Sequence, residues 1–371
     1  MSPETDSGTE TAFAITKLII MKETVVMFKK ITLAAAAGAL LAGSANAAVV
    51  YQSESAKLQL GGRLDAAINS VALSERATDK KVELVGTARF RVAAESAITD
   101  GVKALGFGEW QIGAETSHNG QWNTRFAYVG FKTDDYGQLT FGQNQPAAVI
   151  ALSATDILID WGAKATTSYE FAAKARQEGL VDYRYKKSFN NQALKLGLSY
   201  QTAGLDNVDT GISVAGGYEY GEYFPVGLNL AYDYYRVSNT APAKYDDKNA
   251  ITVSLTGGDL TAGFYAAGLY QFTDYEHKKN VNGFELAAGY TWDSGVQFLL
   301  LYNQKNQDSA RLVSNFAGEL SYKFNPNFRA YVEAEIGVGD IDTVDAATGK
   351  KTGSTHERSD DKVAFHLQYN Y

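Results

Sequence analysis

Apolar and polar residues alternate along most of this chain, in short segments separated by turn-forming residues. In KLQLGGRLDAAIN (57–69), the apolar face carries Leu58, Leu60, Leu64, Ala66 and Ile68. The segments GFELAAGYTW, NFAGELSYKF, FRAYVEAEIGV and KVAFHLQYNY repeat this alternation. A period of two residues is typical of β-strands that have one apolar face. The pattern therefore predicts an all-β protein.

Sixteen such segments are predicted, starting near residues 57, 82, 102, 122, 138, 179, 192, 209, 223, 248, 260, 281, 296, 313, 326 and 361. Their lengths lie near the ~9–11 residues that a tilted strand needs to cross a bilayer. Short turns such as ITDG, GGD and DSG alternate with long polar connections, the third of which begins at Gln145. An even strand number with this alternation of short and long connections is typical of an outer-membrane barrel. Such a sheet has to close, because lipid offers its edges no hydrogen-bond partners.

A soluble β-sandwich would also alternate, and three observations disfavour it. The non-apolar strand face carries charges and amides rather than a second apolar layer. The last strand ends on an aromatic residue, and one of its faces carries Phe365, Leu367, Tyr369 and Tyr371. Tyrosines cluster near strand ends, as in interfacial aromatic girdles, at Tyr218, Tyr220, Tyr223, Tyr232, Tyr234 and Tyr235. We therefore predict a 16-stranded antiparallel transmembrane β-barrel.

The first 47 residues are predicted to lie outside this barrel. The segment MFKKITLAAAAGALLAGSANA (27–47) has a basic start, an apolar middle and a small-x-small end. That is the pattern of a secretory signal peptide, and it is too short for a good spanning helix. Because export signals stand at the start of a chain, we interpret residues 1–26 as an extension from a mis-assigned upstream start. A long atypical leader is the alternative. We expect the barrel to occupy residues 48–371.

Charge and cysteine content exclude several classes of function. The formal net charge is −8, and residues 1–47 hold equal numbers of basic and acidic residues, so the acidity belongs to residues 48–371. An acidic balance argues against nucleic acid as a partner. The absence of cysteine excludes disulfides, thiol chemistry and Cys-ligated metals. No segment after residue 47 reaches the ~18 consecutive apolar residues of a transmembrane helix.

Enzymatic chemistry finds little support in the sequence. The four histidines (His118, His277, His356 and His366) are scattered, and neither a G-x-S-x-G motif nor a metal-binding histidine pair occurs. The run DIDTVD (340–345) lacks the spaced Gly and Glu of a calcium loop. We therefore predict no enzymatic activity, no metal and no cofactor. An outer-membrane lipase or protease barrel is the alternative that these observations disfavour.

Several segments occur in a family-like order: a signal peptide, VVYQSESAKLQLGGRLDAAI, ARFRVAAESAITDG, NTRFAYVGFKTDDYGQLTFGQN, TDILIDWG and an aromatic-ended last strand. Together they resemble the general diffusion porins of Gram-negative outer membranes, the OmpF/OmpC type. NGFELAAGY and YKFNPNFRAYVEAEIG are similar to the OmpU-type porins of marine γ-proteobacteria. The chain departs from the family in ending on Tyr371 instead of Phe, and in carrying Ile159-Asp160-Trp161 where relatives often have Pro-Glu-Phe.

The resemblance covers nearly all of residues 48–371 and implies an architecture. It implies a homotrimer surrounded by outer-membrane lipids, inserted by the barrel-assembly machinery, which reads the C-terminal aromatic strand as its signal. It also implies that the third loop folds into the lumen. The segment ATDILIDWGAKA (154–165) would belong to this loop. Its Ile157, Leu158 and Trp161 would pack against the inner wall, and Asp156 and Asp160 would face the pore.

The same resemblance implies a basic ladder opposite the loop, on the polar faces of the strands, formed by Arg63, Arg89, Arg125 and Arg176. Arg91 and Arg184 would be further lumen-facing arginines. A guanidinium stays charged even beside others, and on the lipid face it would cost ~2–4 kcal/mol at the bilayer midplane. Opposed charges predict a transverse field across the constriction. We therefore predict an outer-membrane porin for passive diffusion of ions and small hydrophilic solutes. The alternatives are a substrate-selective, chitoporin-like sugar porin and a purely adhesive or structural barrel.

Overall fold

The computed structural model describes residues 47–70, 82–114, 121–167, 176–202, 208–239, 241–242, 245–356 and 361–371. The predicted extension (1–26) and all but Ala47 of the predicted signal peptide lie outside these residues. One helix is described, the single turn α1 (Val149–Leu152). Across the described ranges, no helix has the length and apolar character needed to span a membrane.

Most of the described residues lie in β-strands. These are β1 (Ala48–Gln52), β2 (Ala56–Ser70), β3 (Val82–Thr99), β4 (Val102–Gly113), β5 (Trp122–Thr133), β6 (Gly137–Asn144), β7 (Gln177–Phe189), β8 (Gln192–Gln201), β9 (Val208–Tyr220), β10 (Val226–Val237), β11 (Lys248–Gly258), β12 (Gly263–Tyr275), β13 (Val281–Thr291), β14 (Val296–Gln307), β15 (Ala310–Lys323), β16 (Phe328–Gly337), β17 (Asp340–Val344), β18 (Lys351–His356) and β19 (Lys362–Asn370).

Sixteen of these strands close into a barrel. Strands β2 to β16 pair antiparallel in chain order, β16 pairs with β19, and β19 pairs back onto β2. Every strand of the ring therefore has a partner on each side, which removes the open edges that lipid could not satisfy. Strands β17 and β18 form a separate hairpin in the connection between β16 and β19.

The first and last described strands, β1 and β19, both pair with β2 at the seam of the barrel. Strand β19 pairs with residues 63–70 of β2, and β1 continues along residues 57–60 of the same strand. Between them the N–H of Gly62 donates to the carbonyl of Tyr371 at 2.9 Å, and the N–H of Tyr371 donates to the carbonyl of Gly62 at 3.1 Å. A Cβ at Gly62 would lie 2.8 Å from the Tyr371 ring. Glycine at this position therefore makes room for the terminal aromatic side chain.

Alternation along each strand separates the two faces of the barrel. On β10, Leu228, Leu230 and Tyr232 are exposed, whereas Asn229 and Asp233 are buried. The exposed apolar face points outward, because the third long connection contacts the side chains of the other face. Phe365, Leu367, Tyr369 and Tyr371 share this outward face and are each at least 36% exposed. The barrel thus presents apolar residues outside and polar or small residues inside.

The sequence-based strand map is confirmed, since no barrel strand starts more than three residues from its predicted position. The short elements β1, β17, β18 and α1 were not predicted. The prediction for Tyr235 was wrong. Its side chain is 1% exposed on the inner face and accepts a hydrogen bond from Gln177 Nε2 at 2.6 Å, so it cannot belong to an interfacial girdle.

Candidate functional site: the inner wall and the third connection

Arginines are concentrated on the inner face of β2, β3 and β5. Arg63 on β2 and Arg89 on β3 are directly opposite in the antiparallel register. Arg125 on β5 shares the acceptor Gln111 with Arg89, at 3.4 Å and 3.3 Å. Like charges opposite each other destabilise a sheet, so this arrangement needs compensation. We call Arg63, Arg89, Arg91, Arg125 and Arg176 the basic wall.

Glu109 on β4 supplies part of that compensation, and the sequence analysis missed it. Its Oε2 accepts from Arg91 Nε at 3.0 Å, and its Oε1 accepts from Arg125 Nε at 2.6 Å. The residue is 2% exposed, as expected for a carboxylate clamped between two guanidiniums. In the structure GEWQI pairs with ARFRV, which sets Glu109 opposite Arg91.

The two arginines near the third connection differ in their contacts. The guanidinium of Arg176 lies over the ring of Phe126, 5.1 Å from its centroid. Arg184 forms an ion pair with Asp182 at 2.9 Å. It also donates to the carbonyls of Gln145 at 2.8 Å and Ala147 at 3.2 Å. The hydrogen bonds of Arg184 attach the start of the third connection to β7.

The first half of the third connection is anchored by backbone hydrogen bonds to the wall. The N–H of Ala147 donates to Ser199 Oγ at 2.7 Å, and the N–H of Ala148 donates to Ser213 Oγ at 2.8 Å. Beyond them α1 buries Leu152 against small and apolar wall residues that include Leu269. Short wall side chains let the backbone approach closely, so this segment lies flat against the inner face.

The tip of the connection combines apolar packing with one buried carboxylate. Ile157 and Leu158 are buried among wall residues of β12 to β15, with Trp161 packed against them. Glu333 on β16 accepts from the backbone N–H groups of Ile159 at 3.2 Å, Asp160 at 3.2 Å and Trp161 at 2.6 Å. These backbone donors would otherwise lack partners next to the wall. The packing predicted for the aliphatic residues and Trp161 is therefore present.

The described part of the return segment runs back along β14 and β13. The N–H of Lys164 donates to Asn303 Oδ1 at 3.2 Å, and the N–H of Ala165 donates to Glu285 Oε1 at 2.9 Å. The segment passes directly over Gly283, where a Cβ would lie 2.2 Å from the carbonyl oxygen of Ala165. Any side chain at position 283 would therefore push the connection off the wall.

The two loop acids have different surroundings. Asp156 is exposed, and it lies within electrostatic range of Arg176. The side chain of Asp160 is 34% exposed, with its Oδ2 2.9 Å from His366 Nε2 on β19. Asp160 also lies within electrostatic range of Arg63. The contact between Asp160 and His366 was not predicted from the sequence.

In the described part of the chain, no group of three or more His, Cys, Asp or Glu residues is arranged to hold a metal ion. The first five residues of the DIDTVD run form β17, and Asp345 begins the turn to β18. Asp342 in β17 is 2.8 Å from Lys351 Nζ and accepts from the N–H of Arg311 at 2.9 Å. The three acids of this run are therefore part of a hairpin, with Asp342 acting as its internal anchor.

Comparison with known proteins gives the family. The family model described as "Gram-negative porin" matches residues 32–366. The outer membrane protein U of Vibrio parahaemolyticus is 28% identical over 364 residues, covering 93% of this chain and 100% of that protein. The porin-like protein L of Photobacterium profundum is 28% identical over 333 residues, covering 85% and 94%. These matches confirm the resemblance to Gram-negative and OmpU-type porins.

Solved structures support the same fold. The structure of Salmonella typhi OmpF in complex with daunomycin superposes with a TM-score of 0.70 at 19% identity, covering 87% of this chain and all of that one. An anion-selective porin from Comamonas acidovorans superposes with a TM-score of 0.63 at 14% identity, covering 85% and 100%. The chain therefore belongs to the Gram-negative porin family and is an outer-membrane porin, a closed barrel through which small hydrophilic solutes diffuse passively.

Proposed function

We propose that solutes cross this barrel at a constriction between the basic wall and the third connection, with Asp156 and Asp160 as its acidic side. The observation that carries the proposal is the electrostatic proximity of the two sides. Asp160 lies within range of Arg63, and Asp156 lies within range of Arg176. Opposite charges facing each other across a narrow lumen with low-dielectric walls produce a strong transverse field.

Such a field favours small polar solutes over apolar ones. A polar solute aligns its dipole with the field and exchanges contacts with water for contacts with charged side chains. An apolar solute displaces ordered water and gains little in return. The basic wall suits this task because guanidinium groups keep their charge beside one another. The channel therefore admits ions and small hydrophilic solutes without input of energy.

General diffusion fits the wall better than sugar selectivity. A sugar path needs aromatic faces open to the lumen, and the inner wall of β4 and β5 does carry Phe107, Phe126 and Tyr128. The rings of Phe107 and Tyr128 stack with their centroids 5.3 Å apart, and Tyr128 is buried. The guanidinium of Arg91 covers Phe107 at 5.7 Å. Charged groups therefore occupy the face that a sugar ring would use.

We propose the assembly and the partners of this chain by analogy with the family. The protein works as a homotrimer in outer-membrane lipid, as a channel without enzymatic activity. The barrel-assembly machinery recognises the C-terminal strand, whose Phe365, Leu367, Tyr369 and Tyr371 all point outward. Chemical cross-linking in native outer membranes tests the trimer, and a monomer as the largest species would contradict it.

Reversal potential across a salt gradient in a planar bilayer tests the constriction. Replacing both loop acids, Asp156→Asn with Asp160→Asn, leaves the basic wall unopposed and should shift the reversal potential toward anions. Replacing Arg89→Ala with Arg125→Ala should shift it toward cations and admit bulkier solutes. Both shifts should shrink at high salt, because the Debye length falls from ~10 Å at 0.1 M to ~3 Å at 1 M.

The control variant also replaces an arginine by alanine, but at a position away from the proposed constriction. Arg236→Ala removes an arginine with a 55% exposed side chain, 3.0 Å from Asp209 at the end of β10, and should leave the reversal potential unchanged. A double variant that behaves like this control would contradict the proposed constriction. Saturable block of the wild-type current by one sugar would favour the selective porin, and absence of any current would favour a structural barrel.

A further inference from the structure

A histidine of the last strand lies between two carboxylates on the inner wall. Asp65 Oδ1 on β2 is 2.9 Å from His366 Nδ1, and Asp160 Oδ2 on the third connection is 2.9 Å from His366 Nε2. His366 is 5% exposed. The histidine therefore joins the barrel wall to one of the two acids assigned to the constriction.

The wall holds His366 and Asp65 in fixed positions. The ring of Tyr331 on β16 stacks on the imidazole, with the centroids 4.3 Å apart and the planes 7° from parallel. Asp65 Oδ2 accepts from Tyr331 Oη at 3.2 Å and from Gln368 Nε2 at 2.9 Å. Neither side chain can turn away without losing these contacts, so Asp160 meets a pre-positioned partner.

Two carboxylate oxygens close to the ring nitrogens favour the doubly protonated imidazole. A neutral imidazole has one N–H and one lone pair, and the lone pair would face a carboxylate oxygen at one of the two nitrogens. The doubly protonated ring has an N–H at both nitrogens and carries a positive charge. Nδ1 is hydrogen-bonded to Asp65, whereas Nε2 makes a charge contact with Asp160 without hydrogen-bond geometry. Two carboxylate oxygens at 2.9 Å favour an imidazolium, whose charge opposes the negative charge of Asp160.

Other charged groups surround this arrangement. Arg63 on β2 is within electrostatic range of Asp65 and Asp160. Glu319 on β15 is within electrostatic range of His366, Asp160 and Arg329, so a further carboxyl group lies near the pair. The Arg329 guanidinium on β16 lies over Tyr331 at 5.0 Å. Glu333 on β16 accepts from the backbone N–H of Asp160 and is within electrostatic range of that acid. All four groups (Arg63, Glu319, Arg329 and Glu333) are retained in every variant compared below.

We propose that His366 is a selectivity-determining residue of this pore: its protonated ring holds Asp160 and offsets the loop's negative charge, so loss of its charge strengthens cation preference. The inference rests on the proposed constriction, because it assigns to Asp160 a place where passing ions sense its charge. It adds a proton-dependent control of ion preference that acts through a single side chain.

The test is the reversal potential in a potassium chloride gradient, measured from about pH 5 to about pH 10. This range extends to both sides of the ordinary histidine pKa of ~6.5. The wild type should shift toward cation preference as the pH rises. His366→Gln should show that preference already at low pH and lose most of the shift. His366→Lys retains a positive charge and should keep the low-pH behaviour over a wider range.

A double-variant cycle isolates the pair. In an Asp160→Asn background, His366→Gln should no longer move the reversal potential, because the charge that His366 offsets is gone. His277→Gln is the matched control. That histidine lies 2.9 Å from Asp246 in a connection, its side chain 74% exposed, and its loss should leave selectivity unchanged.

The outcomes separate the inference from the function. A conducting channel in which Asp160→Asn shifts the reversal potential, while neither pH nor His366→Gln does so, would overturn the inference and leave the constriction standing. A conducting channel that Asp160→Asn leaves unshifted would overturn both. If His366→Gln fails to insert, the pH titrations of the wild type and of Asp160→Asn decide. A flat wild-type profile refutes the role of His366, and a shift that Asp160→Asn shares does the same.

Discussion

Glu333 attaches the tip of the third connection to the barrel wall through hydrogen bonds. Its replacement by glutamine therefore tests how strongly the tip is held. Three consecutive backbone N–H groups, at residues 159–161, donate to its two oxygens at 2.6–3.2 Å. Glu333→Gln keeps the shape of the side chain. It removes the negative charge and turns an amide NH₂, which is a donor, toward backbone N–H groups, which are also donors and cannot accept a hydrogen bond from it.

The size of the effect follows from these contacts. A hydrogen bond to a charged acceptor contributes ~1.5–3 kcal/mol, and one to a neutral acceptor ~0.5–1.5 kcal/mol. Glutamine retains one acceptor oxygen, so at least one bond is lost and the others become neutral. Water in the lumen returns part of that loss to the freed N–H groups. We expect the attachment to weaken by ~1–3 kcal/mol, which is a ~5–150-fold rise in the detached population.

Single-channel recording measures that population directly. A tip that leaves the wall moves into the lumen, so Glu333→Gln should show added transitions to lower-conductance levels. The buried Ile157 and Leu158 keep the rest of the connection in place, so the fully open level should persist. Glu95→Gln is the control, since its carboxylate is 40% exposed and 3.4 Å from Lys132. Identical records for the two variants would refute the reasoning.

Three further changes test the barrel and its connections. Tyr371→Asp should fail to reach the outer membrane while Tyr371→Phe should reach it, as judged by fractionation, and normal yield of the Asp variant would contradict a C-terminal assembly signal. Gly283→Val should alter single-channel conductance with unchanged barrel migration on gels, because its Cβ would meet the carbonyl of Ala165; an unaltered conductance would contradict this. Hydrogen bonds from Lys351, then from Ser354 and a backbone N–H, lower the pKa of Asp342 to about 2. The hairpin should therefore resist proteolysis above the ordinary aspartate value of ~3.9 and lose that resistance as the pH falls toward about 2, whereas Asp342→Asn should be susceptible at neutral pH.

The sequence by itself determined the barrel, because the information for a strand in lipid is local. A residue's face follows from its parity, so Leu228 and Leu230 could be assigned outward and Arg63 and Arg89 inward from the printed sequence alone. Strand number, connection lengths and the family resemblance then fixed the closed sheet. Tyr235 shows the limit of local inference. A tyrosine near a strand end fits a girdle, yet its parity places it inside, where Gln177 donates to it.

The tertiary structure decided which charges meet, because closing the barrel joins residues that are far apart in the chain. His366 contacts Asp65 across 301 positions, and Glu333 reaches Trp161 across 172. No periodicity encodes such pairs. Their geometry depends on how the third connection lies on the wall, and that in turn depends on short side chains and on Gly283. The arginines and the loop acids could be proposed from the sequence, whereas the contact between Asp160 and His366 is visible only in the folded structure.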